Sequence, residues 1–294
     1  MNEPKVSVVL CTRNRADQLG ATLDCFTKIE SHLQWELVVV NNGSTDRTED
    51  VLREYAARAR FPVKVVFEPI AGLSRARNTG WKSAGGGFVA FTDDDCYPQI
   101  DFVQRLIEKL TQPQVEYLGG RVMLFDPEDL PITIQTNPDR NAIPPHSFPV
   151  DGAMHGANMA ARRYVLEKTN GFDEILGAGS RFPSAEDLDW LGRVSAAGFA
   201  GAYEPDVVVF HHHRRRTEQQ VSILRRSYDL GRGAYYGKCF LDPLRRKQAA
   251  RNWYWRMRFR LMHMLKQKRY LASMLYELRG TLGYLATRLR VQLR

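Results

Sequence analysis

The sequence predicts an α/β fold: a mostly parallel, doubly wound sheet followed by a basic helical extension. Three observations carry this. Short β-branched runs alternate with helical segments through the first hundred residues. Those runs end in polar residues. Beyond Pro243 the composition turns sharply basic, with 14 Lys or Arg against one acidic residue, Glu277. Repeated strand–loop–helix units imply parallel strands joined by crossover helices.

The elements follow in order. "KVSVVLCTRN" (Lys5–Asn14) is a β-branched run ending in polar residues, the pattern of a strand buried on both faces. "ADQLGATLDCF" has helical spacing. "WELVVVNNGSTDRTEDVLREYAAR" repeats the design, with a strand to Val40, a polar Gly turn and a helix from about Thr45. "VKVVFEP" and "GLSRARNTGWKSA" are the third strand and helix, and "GGFVAFT" is a fourth strand. After Asp101 the alternation weakens. Asp126–Pro149 is Pro-rich and reads as a long loop, and "DGAMHGANMAARRYV" places two glycines before a short helix. "AEDLDWLGRVSAAGF" is a helix with an acidic first turn, "AYEPDVVVF" a strand ending at "HHHRRR", and the text from Thr217 on is helical. The expected division is a domain of residues 1–216 and a helical tail of residues 217–294.

Bulk properties narrow the class. At 294 residues, 44% hydrophobic, the chain suits one large domain with or without an appendage. The first residues lack the basic and apolar regions of a secretory signal, and no uncharged apolar run reaches the roughly 18 residues of a membrane span. The four scattered cysteines, Cys11, Cys25, Cys96 and Cys239, read as reduced thiols, which points to a cytoplasmic setting. Net charge is +9; removing the tail's 14 basic and one acidic residues from the totals of 42 and 33 leaves 28 and 32. The body is therefore at −4 and the tail at +13, so the tail is expected to meet something anionic.

Ligands of doubly wound sheets bind beyond the carboxyl ends of the strands. There stand Thr12, Asn14, Asn41, Asn42, Asp93, Asp94 and Asp95. Three consecutive carboxylates repel one another unless a cation sits among them, and hard oxygen ligands favour Mg²⁺ or Mn²⁺. By strand alternation Asp93 and Asp95 share a side while Asp94 points elsewhere. Glu186 and Asp187 form a second acidic pair, in a helix first turn where the dipole favours negative charge. A neutral imidazole from His211, His212 or His213 can complete a metal site with carboxylates. Gly152 and Gly156 allow close approach of backbone to a ligand.

In order, "VSVVLCTRNR", "ELVVVNNGSTD", "GLSRARNTG", "FVAFTDDD", "GANMAARR", "NGFDEILG" and "AEDLDW" resemble the motifs of family 2 glycosyltransferases, over roughly Lys5–His213. The resemblance implies a GT-A fold, which is Rossmann-like, and inverting transfer of a sugar from a nucleotide-diphosphate donor to a saccharide or lipid-linked acceptor, as in surface polysaccharide assembly. It implies that Asp93 contacts the nucleoside side of the donor and Asp95 the metal, with Asp94 sharing either role. Thr12 and Asn42, with Asn14 at the same end, line the base pocket, and Arg77 helps hold the donor. Asp187, with Glu186 beside it, is the implied general base. A His after the last strand is an implied metal ligand, and His211 is favoured as the first residue past it. Gly156 and Asn158 lie on the implied acceptor loop, and Trp190 either stacks on the acceptor sugar or belongs to the core. Asn41-Asn42 departs from the usual Asp, and an Asn amide that both donates and accepts leaves the choice of UDP open. A silent nucleotide-sugar-binding or membrane scaffold, and a metal-dependent nucleotidyltransferase, are the competing classes.

In the tail, Leu271, Leu275, Leu278, Leu282, Leu285 and Leu289 form a heptad-like stripe. The favoured reading is packing against a neighbouring helix or a second subunit, ahead of insertion into lipid. "RNWYWRMRFRLMHMLKQKRY" interleaves aromatics with arginines, which suits an anionic membrane surface. Nucleic acid ranks lower, because no recognition motif accompanies the charge.

Overall fold

The computed structural model describes residues 5–149, 152–265 and 269–292. Lys266–Lys268 of the basic stretch fall outside them. β1 (Val6–Thr12) sits between β2 (Trp35–Asn41) and β4 (Phe88–Asp93), parallel to both, and β3 (Val63–Phe67) extends the parallel block beyond β2. The crossovers are α1 (Ala16–Phe26), α2 (Thr48–Arg58) and α3 (Leu73–Ser83). Val8 and Leu10 of β1 pack into one core, with Leu19 and Leu23 of α1 and Leu52 of α2. Val9 packs into the other, with Ala76 and Trp81 of α3. Both faces of the strand are thus buried, which explains its unbroken apolar run. Each such side chain contributes roughly 1.5–3 kcal/mol of burial free energy.

Beyond β4 the sheet is mixed, continuing through residues 158–162, 117–124, 201–211 and 96–98 in that spatial order. After β4 come the short β5 (Cys96–Pro98), α4 (Phe102–Leu110) and β6 (Tyr117–Leu124). The Pro-rich stretch is largely irregular but contains a further short strand, β7 (Asn141–Ile143), antiparallel to β9 (Gly201–His211). β8 (Asn158–Arg162) inserts antiparallel between β4 and β6 and leads into α5 (Arg163–Thr169). It therefore starts where β4 ends, with Thr92 opposite Asn158. β9 runs parallel to β6, with a break in register after Gly120 where Pro205 and Asp206 interrupt the pairing. β5 pairs antiparallel with β9, setting Cys96 opposite His211.

α6 (Glu186–Ala196) precedes β9, and α7 (Glu218–Leu241), α8 (Arg246–His263) and α9 (Arg269–Gln292) follow it. α7 opens with a capping box between Thr217 and Gln220. It is tied to the body by Asp189 of α6, whose fully buried carboxylate meets Arg193 at 2.9 Å, Lys238 at 2.8 Å and Arg245 at 3.4 Å. α7 and α9 pack backbone to backbone: a Cβ on Gly233 would collide with the carbonyl of Glu277, and one on Gly280 with that of Leu230. Buried between the tail helices, Glu277 accepts from Arg260, from Arg232 at 3.4 Å and from Arg256 at 3.3 Å.

Most of the leucine stripe does not pack within the described residues. The face of α9 turned to α7 carries Glu277, Gly280, Thr281 and Tyr284; leucines 271, 275, 278, 282 and 289 are exposed, and Leu285 is half-buried. So close a helix crossing admits glycine and threonine but excludes a row of leucines.

Candidate active site

A cavity of about 780 Å³ opens at the carboxyl ends of β1, β2 and β4. Its floor follows from the register: Thr12 lies opposite Asn41, and Cys11 opposite Asp93. All three aspartates line it. Strand geometry stops at Asp93, so Asp94 does not point away as alternation suggests. Its Oδ2 accepts from Thr12 Oγ1 at 2.7 Å, and its Oδ1 lies 3.5 Å from Arg15. Burial pushes the Asp94 carboxyl up to about 6, against the pull of Arg15.

Asp95 meets the end of β9. Its Oδ1 is 3.3 Å from His211 Nε2, and His211 Nδ1 is 3.2 Å from the Thr133 carbonyl. Burial works against charge on both groups, but their mutual contact wins, holding Asp95 below the usual carboxylate range and His211 above the usual imidazole value. The adjacent Cys96 thiol, whose sulfur lies within 4.8 Å of the ligand atoms of Asp95 and His211, is pushed far up by burial. A carboxylate oxygen and an imidazole nitrogen fixed by a backbone carbonyl suit a hard divalent cation. His212 and His213 are engaged elsewhere: His212 Nε2 lies 3.6 Å from Asp126, and the buried His213 bonds the Leu130 carbonyl at 3.0 Å and accepts from Arg215 N–H.

The opposite wall is the start of α6. Arg77, 1% exposed, bridges the two acidic groups, donating to Asp93 Oδ1 at 3.0 Å, Glu186 Oε1 at 2.9 Å and the Gly156 carbonyl at 3.1 Å. Gly156 N–H in turn donates to Asp187 Oδ2 at 3.0 Å. Burial, then the neighbouring Asp187, raise the Glu186 carboxyl, and Arg77 opposes them. Ala185 caps the helix in the left-handed region, at φ 71°, a conformation that costs a non-glycine residue roughly 1–2 kcal/mol. Ser184 supports it by donating to the Ser227 carbonyl of α7 at 3.1 Å. Cys11 also lines the cavity, but burial pushes its thiol up to about 12, which removes it as a nucleophile.

Three expected contacts fall elsewhere, and a fourth lines the cavity with its amide already engaged. Trp190 is 1% exposed, edge-on to Tyr117 and packed on Phe172, so no ring face is open to an acceptor. Asn158 is fully buried and spends its amide hydrogens on the carbonyls of Arg121 and Val207, both at 2.9 Å, where the sheet register breaks. Asn14 staples two loops, accepting from Thr45 N–H at 2.8 Å, and lies off the cavity wall. Asn42 lines the cavity, but its amide hydrogens go to the carbonyls of Glu68 and Ile70 and its oxygen accepts from Gly72 N–H. It shapes the pocket and has no N–H left to read a base. Arg13 and Arg15, inside the first quoted motif, and Arg215, inside "HHHRRR", also line the cavity, although the sequence assigned them no role. Tyr228 and Arg232 of α7 line it too and belong to no quoted motif.

The model of glycosyl transferase family 2 matches residues 7–169, more than half of the chain. The chain belongs to glycosyl transferase family 2. The glycosyltransferase AglE of Haloferax volcanii is 25% identical over 231 residues, 78% of this chain and 73% of that protein. The uncharacterised glycosyltransferase EpsJ of Bacillus subtilis is 33% identical over 117 residues, 40% of this chain but only 33% of EpsJ. Among solved structures, the mannosyltransferase PcManGT from Pyrobaculum calidifontis, in complex with GDP-Man and Mn²⁺, aligns with a TM-score of 0.64 at 19% identity, covering 100% of this chain and 82% of that one. S. aureus TarS 1-349 in complex with UDP-GlcNAc aligns with a TM-score of 0.62 at 18% identity, over 83% and 69%. The fold of this glycosyltransferase is thus GT-A-like, from the parallel block to the tail helices.

Proposed function

We propose that the cavity transfers a sugar, with inversion, from a nucleotide-diphosphate donor to an acceptor hydroxyl, in glycan assembly on the cytoplasmic side. The observation that carries this reading is Arg77, whose one guanidinium joins Asp93 at the strand end to Glu186 beside Asp187. Donor end and base end thereby share one rigid wall. In this reading the acceptor oxygen bonds to the anomeric carbon as the carbon–oxygen bond to the diphosphate breaks. Asp187 takes the hydroxyl proton; its Oδ2 is oriented by Gly156 N–H. Burial raises the Glu186 carboxyl, and its contact with Arg77 offsets repulsion beside Asp187. Asp95 and His211 are the residues that would hold Mn²⁺ or Mg²⁺. When bound, such an ion neutralises charge on the departing diphosphate. The loop containing Gly156 borders the acceptor, and the pocket of Thr12, Asn42 and Asp93 borders the nucleoside.

The test is Asp187→Asn. Transfer is expected to fall by about 10²–10⁴, while donor affinity measured by calorimetry stays within a few-fold. Undiminished turnover removes Asp187 as the base.

A further inference from the structure

We propose that the outer face of α9, continued by the second half of α8, is a docking surface for an anionic lipid bilayer. Leu271, Leu275, Leu282 and Leu289 are 50%, 59%, 65% and 59% exposed, and they line up along one side of α9. At 1.5 Å per residue this row is about 27 Å long. None of the described helices is long and apolar enough to cross a membrane, so the row lies along a surface. Arg279 and Arg290, both exposed, sit about 80–100° round the helix on one side of it, and Arg288 about 100° on the other. α8 adds Trp255, Phe259 and Met262, each at least half exposed, with the Arg258 guanidinium 5.8 Å above the Trp255 ring. The two surfaces meet where Phe259 contacts Tyr270, the residue before Leu271, with ring centroids 6.1 Å apart.

The combination selects the partner. Leucines in water gain only from an apolar partner, and nucleic acid offers phosphates but no such surface. A second copy of the chain would cover the leucines, but it would set the same arginines face to face without counter-charges, since the one acidic residue after Pro243, Glu277, is buried. An anionic bilayer satisfies both features: acyl chains take the leucines and Trp255, and headgroups take the arginines.

Flotation of the full chain with vesicles tests this without any reading of activity, so it stands or falls separately from the transfer chemistry. With vesicles of about one-third phosphatidylglycerol in phosphatidylcholine, the protein is expected to float, and to do so at least tenfold less with phosphatidylcholine alone. The triple variant Leu271→Gln, Leu275→Gln, Leu282→Gln should lose at least tenfold in partitioning with an unchanged thermal midpoint, because none of the three side chains is in the core. The double variant Arg279→Gln, Arg290→Gln should flatten the salt dependence. The proposal is overturned by wild-type protein that stays at the bottom of the gradient, by a triple variant that floats as well as wild type, or by a dimer in sedimentation that the triple variant dissolves while vesicle binding is absent. Retention of oligonucleotides in place of vesicles would also overturn it, and would assign the surface to nucleic acid.

Discussion

At the residue scale, the site rests on side chains that end up paired with distant backbone or opposite charge. Asp95 and His211 are 116 positions apart in sequence, yet β5 and β9 bring them to 3.3 Å. They form an ion pair, and under the proposed function the same pair would hold the cation. Asp95→Asn should therefore weaken Mn²⁺ binding by about 10–100-fold, the range expected when a metal's coordinating surroundings are disturbed, as read by calorimetry on the protein without donor. Affinity equal to wild type would dismiss Asp95 as a ligand. The acidic groups were legible because strand ends and helix starts can be read locally, although negative charge at a helix start also serves the helix itself. A core position was one of the two readings of Trp190, but Asn158, Asn14 and Asn42 were not legible as scaffold residues. Their partners are a break in the sheet register and neighbouring loops, and nothing near them in sequence announces a carbonyl 37 or 49 positions away.

At the element scale, the parallel block from β1 to β4 and its crossovers could be read from periodicity, and "ADQLGATLDCF" is α1 from end to end. The mixed half could not. Antiparallel insertion of β8 depends on which edge of β4 is free, a long-range matter that apolar alternation does not encode. The element that matters most for chemistry is the start of α6, because a left-handed Ala185 aims Glu186 and Asp187 at the cavity. Gly231 of α7 presses directly on Ser184, and a Cβ there would collide with the Ser184 side chain and carbonyl. Gly231→Ala should lower kcat about tenfold or more with donor affinity nearly unchanged, and cost roughly 1–3 kcal/mol of stability by overpacking. Steady-state kinetics alongside denaturant unfolding separate the two effects; a variant with normal kcat would mean that Ser184 does not set the geometry of α6.

At the scale of the whole molecule, the composition break near Pro243 suggested an appendage, but the tail helices are wired into the body. Leu224, Tyr228 and Arg232 of α7 line the cavity, and Asp189 gathers three cations from two helices and the turn after α7. Burial opposes charge on Asp189, yet those cations hold its carboxyl well below the usual range. A lowered folded-state value means that this contribution is complete above the ordinary carboxylate value of about 4 and fades as pH falls towards the folded value. Asp189→Asn should cost about 3–5 kcal/mol near neutral pH, the penalty for stranding buried cations, and should remove that part of the acid-side decline. Denaturant midpoints at several pH values check both. Basic residues in the tail revealed its charge but not its wiring, since a buried arginine and a solvated one read alike in sequence. The glycine contacts between α7 and α9 have a mechanical corollary. With no side chain between them the two backbones touch, so any displacement of the outer rod is expected to be felt by α7, three of whose side chains line the cavity.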